Sequence, residues 1–437
     1  MGPSVADCRG FAGRRSRADE PTPRTDRLRQ NLPSLARLRA LLGPDVAGVR
    51  QSLVALGLNS STSLVAGAFL GAITDTFDRY PGLLVLVPAA IGLRGNVFGS
   101  FGNRLSTAIH AGTFRWSLRR EAVLGQNVMA SLLLTMGLSL ALAVVAKAVA
   151  LGLGLEGSID LLSMSTVSIL GGILGSIVVL AAALGLTAGA VRFGWDLDNV
   201  TAPLVSTLGD VLTLPALYLA TLLLGIAVIS PAIGAVLVGL SLTGLVLGWR
   251  SSTDGLRRIV HESVPVLVIA GCVSAGAGVA LETSFDRFAA LPALLVLVPA
   301  HLSSAGALGG ILSGRVSSKL FLGLVAPEAR PNREARRDIT LAFLLALPVY
   351  VVNGAGAHVV ARALGQESPG LAAMLGVSLI GGVLAMAFVV SVAYYGTIAA
   401  YRTGVDPDTY GIPVVSSSVD FVGAFTLVWA IALLGLA

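Results

Sequence analysis

Pro81-Gly82-Leu83-Leu84-Val85-Leu86-Val87-Pro88-Ala89 returns as Pro292-Ala293-Leu294-Leu295-Val296-Leu297-Val298-Pro299-Ala300, at an offset of 211 residues (81 to 292). Arg104-Leu105-Ser106 returns at the same offset as Arg315-Val316-Ser317. A third pair lies further on. Asp196, Asp198, Pro203 and the lone Asp210 are matched, 210 residues later, by Asp406, Asp408, Pro413 and Asp420. The chain therefore reads as two copies of one unit.

The composition says what kind of unit it is. Of 437 residues, 54% are hydrophobic and only 12% charged, and the mean hydropathy is +0.83. Soluble domains carry about 25% charged residues. Apolar runs of about 20 residues recur, each long enough to cross ~30 Å of hydrocarbon as a helix. They do not alternate as transmembrane strands do. The expected fold class is an all-α polytopic membrane protein. Eleven spans are predicted: about Leu53–Thr74, Leu83–Ile109, Ala122–Leu151, Leu161–Val191, Val200–Ile229, Pro231–Trp249, Val264–Leu281, Ala293–Leu320, Ile339–Val360, Leu371–Ala399 and Ile412–Leu436. The break between the fifth and sixth rests on Ser230-Pro231.

Five spans, one connector and five spans follow from that count. Five is odd, so direct fusion would invert the second copy; the sixth span restores its orientation. The copies then run parallel, related by a pseudo-two-fold axis along the membrane normal. A homodimer of five-span subunits fused into one chain would look like this, and one chain would then suffice as a monomeric pseudo-dimer. The expected domains are a tail over 1–50, a first repeat over 51–229, a connector over 230–260 and a second repeat over 261–437.

Charge placement orients the spans. Ten arginines against five acids fill the first fifty residues. That tail falls on the same side as Arg115/Arg119/Arg120, Arg250/Arg257/Arg258 and Arg330/Arg333/Arg336/Arg337. Asp75/Asp78, Glu156/Asp160 and Glu282/Asp286 fall on the other. By the positive-inside rule the N-terminus is cytoplasmic and the C-terminus lies outside, in a cell membrane. The net charge of +6 thus points to anionic lipid headgroups rather than nucleic acid. Cys8 and Cys272 offer neither a disulfide framework nor metal-ligand spacing.

A carboxylate at the bilayer centre costs roughly 2.5–3.5 kcal/mol on insertion scales. Asp210 and Asp420 sit in apolar helices, twelve residues past Asp198 and Asp408. At 1.5 Å per residue that is about 18 Å of helix. With Asp196/Asp198 and Asp406/Asp408 at the cytoplasmic mouth, the lone aspartates fall near mid-membrane. Two such carboxylates facing across the pseudo-axis call for a cation between them. Ser206, Thr207, Ser416 and Ser417 supply neighbouring oxygens, and no His or Cys lies nearby in sequence, so soft-metal ligation is disfavoured. All-oxygen surroundings suit Mg²⁺, which keeps several waters. The competing reading has each Asp merely hydrogen-bonding a neighbouring helix. The mouth aspartates can concentrate cations, cap the following helix, or both.

Pro88 and Pro299 precede the polar stretches Gly92–Gly99 and His301–Gly306. Either the helices break there, as is tolerated against protein or a water-filled cavity, or the prolines only kink them. These stretches, with Asn96, are expected to form the wall opposite the aspartates. Arg94 occurs in one copy only, its counterpart being Ala305. It is expected to snorkel or to pair with an acid such as Asp196.

Asp-x-Asp, Pro and lone Asp, joined to Leu-Val-Pro-Ala, Gly-Asn and Arg-Leu-Ser, resemble the MgtE-type magnesium transporters, and more closely their tandem-domain relatives, the solute carrier family of magnesium transporters. The resemblance covers residues 51–229 and 261–437. It implies a divalent cation pathway between two units, with Asp210 and Asp420 as the intramembrane ion-site aspartates. The transported ion would be Mg²⁺, with Co²⁺ or Mn²⁺ as further candidates, and the family works as a transporter without a cofactor. Fifty residues before the first span leave no room for the cytoplasmic sensor domains of the bacterial channels. Ala307 and Gly314 replace Asn96 and Asn103 in the second copy, so the polar wall is asymmetric. Two alternatives stand beside this reading. One is a Na⁺-coupled Mg²⁺ exchanger. The other is an intramembrane aspartyl protease, disfavoured because Thr207 and Ser417 stand where such proteases carry the first glycine of Gly-x-Gly-Asp.

Overall fold

Every regular element that a computed structural model gives this chain is helical, over the residues it describes: 46–155, 157–193, 197–226, 229–403 and 412–436. The helices are α1 (Val46–Ala72), α2 (Thr74–Arg79), α3 (Leu83–His110), α4 (Val123–Gly152), α5 (Leu161–Phe193), α6 (Leu197–Thr221), α7 (Ile229–Trp249), α8 (Asp254–Glu282), α9 (Phe285–Ala290), α10 (Ala293–Phe321), α11 (Arg333–Ala363), α12 (Leu371–Thr403) and α13 (Ile412–Leu433). Eleven of them are long and apolar enough to cross a membrane. Each expected span has one.

Some boundaries differ, for local reasons. The break before α7 comes earlier than Ser230-Pro231. A short 3₁₀ turn, Leu222–Gly225, ends the α6 segment, and Pro231 falls in the first turn of α7, where a missing N–H costs nothing. α8 and α11 begin ahead of their apolar runs, since polar helix can continue outside hydrocarbon. The Asn332 side chain caps α11 by accepting from the Ala335 N–H at 2.9 Å. The broken-helix expectation is overturned. α3 and α10 run unbroken through Pro88 and Pro299. Each proline lies within the first two turns, so it removes one early N–H rather than splitting the helix. The short helices α2 and α9 had no counterpart among the expected spans.

Helices before and after α7 follow one order with similar lengths; α5 and α12 are 33 residues each. α3 and α10 form the centre. Of their most apolar stretch 72% is buried, against 17% for α7, which therefore lies at the periphery. The repeated Leu-Leu-Val-Leu-Val run explains this. Leu83–Val87 and Leu294–Val298 are no more than 2% exposed, so these helix starts are apolar on all sides and packed on all sides.

The first helix of each half lies on the second helix of the other. α8 packs along α3, α4 and α13. A Cβ at Gly278 of α8 would strike the Val85 carbonyl of α3, and one at Gly67 of α1 would strike the Val296 carbonyl of α10. These are matching contacts at the 211-residue offset, and each needs glycine because backbone meets backbone. Glu282 ties the halves again: its Oε1 accepts from the Gly82 N–H at 2.7 Å, satisfying a free donor ahead of α3.

Candidate ion site between the two halves

The crossed packing places both lone aspartates at the junction. Asp210, on α6, is buried. Its Oδ2 lies 3.2 Å from Ser303 Oγ on α10. The same hydroxyl lies 2.9 Å from Asn59 Oδ1 on α1. A serine has one proton to donate, so these two acceptors share it. Asp420, on α13, is only partly buried. Its Oδ2 lies 3.5 Å from Ser274 Oγ on α8, at the outer limit of a hydrogen bond. A Cβ on Gly92 of α3 would lie 3.5 Å from that same carboxylate oxygen. Each aspartate thus faces the second helix of the opposite half, through Ser303 in one case and Gly92 in the other. Gly209, next to Asp210, packs against Arg94 and Gly95 of α3, less than one turn past Gly92.

Arg94 does not snorkel, and Asp196, its suggested partner, lies outside the described residues. It is 4% exposed. Nη1 donates to Thr213 Oγ1 at 2.8 Å and Nη2 to the Gly171 carbonyl at 3.2 Å. Thr213 is one turn past Asp210 on α6, and a Cβ on Gly209, next to Asp210, would lie 3.8 Å from Arg94 Cβ and Cγ. Snorkelling needs a clear run to the interface, and Arg94 is enclosed by α5 and α6 instead.

The remaining sequence-predicted residues divide by position. Thr207 precedes Asp210 by three residues, and Ser417 and Ser416 precede Asp420 by three and four, which puts them on the same helix faces. Ser417 is buried, while Thr207 and Ser416 are partly so. Asn96, one turn past Gly92, is partly buried. Asp198 and Ser206 lie on α6, with side chains outside the described ones. Asp196, Asp406 and Asp408 lie outside the described residues. His301 is fully buried against Tyr350, with ring centroids 5.2 Å apart.

Sequence reading missed Asn59, Ser274 and Thr213. Asn59 carried a signal, as an amide in an apolar span. Ser274 and Thr213 carried none, since small hydroxyl residues are ordinary in membrane helices.

Among the described residues no three of His, Cys, Asp and Glu gather to chelate a metal. Two carboxylates with hydroxyls around them suit a hard cation that keeps much of its water.

The MgtE family profile, described as a divalent cation transporter, matches the chain twice, over residues 87–221 and 298–430. The chain belongs to the MgtE family of divalent cation transporters. As an MgtE-family member it is an integral membrane transporter, not an enzyme. The relatives it resembles include solute carrier family 41 member 2 of chicken and of human. Each is 24% identical over 404 residues, covering 86% of this chain and 69% of the relative. Mouse solute carrier family 41 member 3 is 23% identical over 393 residues, covering 83% and 79%. Both profile matches take in a lone aspartate and the helix that faces the other one.

Proposed function

We propose that this transporter carries Mg²⁺ through a pathway between two parallel repeats, past Asp210 and Asp420. One observation carries the reading: Asp210 meets α10 of the second half through Ser303, and Asp420 lies against Gly92 of α3 in the first, at a junction deep among apolar helices. Charge kept in such a place at a cost of several kcal/mol calls for a mobile counter-charge. Hydroxyl and amide oxygens around it, with no cluster of three His, Cys, Asp and Glu among the described residues, favour a hard, partly hydrated divalent ion. Membrane lipids surround the bundle, and the arginine-rich ends face the cytoplasmic leaflet. One chain supplies both carboxylates, so the working unit is the monomer.

The test is Mg²⁺ uptake into liposomes containing the purified full chain. Flux should saturate with Mg²⁺ and vanish in the double variant D210N/D420N that still elutes as a monodisperse protein. Undiminished flux in that variant removes the pathway from this site.

A further inference from the structure

We infer that Arg94 is a resident cation that answers the charge of Asp210 and leaves Asp420 as the one free carboxylate for the transported divalent ion. The inference rests on the pathway proposed above and divides its two aspartates into unlike roles.

The guanidinium has a seat built for it, and the second half lacks that seat. A Cβ at Gly175 of α5 would lie 2.6 Å from Arg94 Cζ and would strike Nη1, so only glycine leaves the space. Ala385 is the counterpart of Gly175, and Ala305 that of Arg94. Thr213, which accepts from Nη1, is matched by Gly423. Three positions change together: the charge, the space it fills and the hydroxyl it meets. A bystander arginine would not need the last two.

Other polar surroundings divide the same way, apart from Ser274, whose counterpart Ser63 is also a buried serine. Ser303 and Asn59 stand beside Asp210, and their counterparts beside Asp420 are Gly92 and Ala270. Next to them, Ser304 Oγ lies 3.4 Å from Ser60 Oγ and accepts from Asn353 Nδ2 at 2.9 Å. The corresponding residues are Leu93, Gly271 and Leu142. Asp420 has one long contact to Ser274 and remains partly accessible. A buried carboxylate with a hydroxyl donor and a nearby guanidinium is largely provided for by the protein; one without them needs a ligand.

Charge counting then makes an unusual prediction. With both aspartates ionised, the site carries a net charge of −1 in the native chain. It becomes 0 in D210N, −2 in R94Q, and −1 again in R94Q/D210N. Mg²⁺ uptake into liposomes, measured against Mg²⁺ concentration, reads this out. R94Q should lower the KM about tenfold and slow maximal flux, since an ion held more tightly leaves more slowly; tenfold corresponds to about 1.4 kcal/mol. D210N should raise the KM by about as much and keep measurable flux. The double variant should return to within about threefold of the native KM. D420N should fall to the leak of protein-free vesicles.

Equal loss in D210N and D420N overturns the inference, as does a double variant no nearer to native than D210N. If R94Q does not fold, the comparison of D210N with D420N decides alone, and R94K, which keeps the charge, should stay nearer the native KM than D210N does. Failure of the pathway itself looks different: flux would survive in D210N/D420N.

Discussion

Asp210 and Asp420 occupy matching positions in the two halves, yet their neighbourhoods have little in common. The first meets Ser303, which also meets Asn59, and its neighbour Gly209 packs against Arg94. The second faces a glycine and one distant serine. Backbone packing is alike in both halves, down to the glycines that let α1 and α8 touch the facing carbonyls. Internal duplication preserves what helix packing demands. Side chains around the two aspartates are free to diverge, and here they diverge in charge.

The largest effect should come from Asp420. D420N, measured by Mg²⁺ uptake with protein level matched, should lose flux entirely while the bundle stays assembled. The next tests the shared packing rather than the divergent site. Gly67→Val and Gly278→Val should each lower the Tm strongly, by the ~1–3 kcal/mol of overpacking or more, because the obstacle is backbone. Gly57→Ala on the same α1 meets nothing within 4 Å and should stabilise by up to about 1 kcal/mol. If Gly67→Val and Gly278→Val differ widely, the two crossings are not equivalent.

A third comparison lies where α3 meets α4 and α10 meets α11. Arg104 donates to Asn127 Oδ1 at 2.6 Å. Its counterpart Arg315 meets Asp338 at 3.2 Å, and Lys319 meets the same carboxylate at 2.7 Å. Asp338→Asn removes the carboxylate that both cations meet, while Lys319 keeps Glu334 at 3.4 Å, and should cost about 3 kcal/mol in thermal unfolding. Asn127→Ala removes one hydrogen bond to a charged group and should cost about 1.5–3 kcal/mol. Smallest of all, Ser274→Ala should cost no more than about 1 kcal/mol, given a contact of 3.5 Å. It should shift the KM for Mg²⁺ only slightly.

Helix number and class were legible in the sequence because hydrocarbon thickness fixes the length of an apolar run. The two Leu-Leu-Val-Leu-Val runs between prolines were legible in the sequence, and both are packed on every side. Pro88 and Pro299 misled: each removes one N–H without breaking a helix that is packed on all sides, and α8 and α11 likewise run through Pro265 and Pro348. The lone aspartates stood out as charge where charge is costly. Their partners did not. Ser274 and Ser303 look like any serine in a membrane helix, and which one meets which carboxylate depends on the crossing of α1 and α8 between halves. Arg94 was visible as a one-sided charge, but its seat was not, because Gly175 and Thr213 lie far from it in sequence.

The most direct test is to see the ion. Mn²⁺, a hard octahedral cation, can stand in for Mg²⁺ in crystals and reveal itself by anomalous scattering. The account predicts a peak at the junction between the halves, beside the Asp420 carboxylate and on the side away from Arg94. A peak midway between two equally engaged aspartates would contradict their division of roles. A peak remote from both would contradict the pathway.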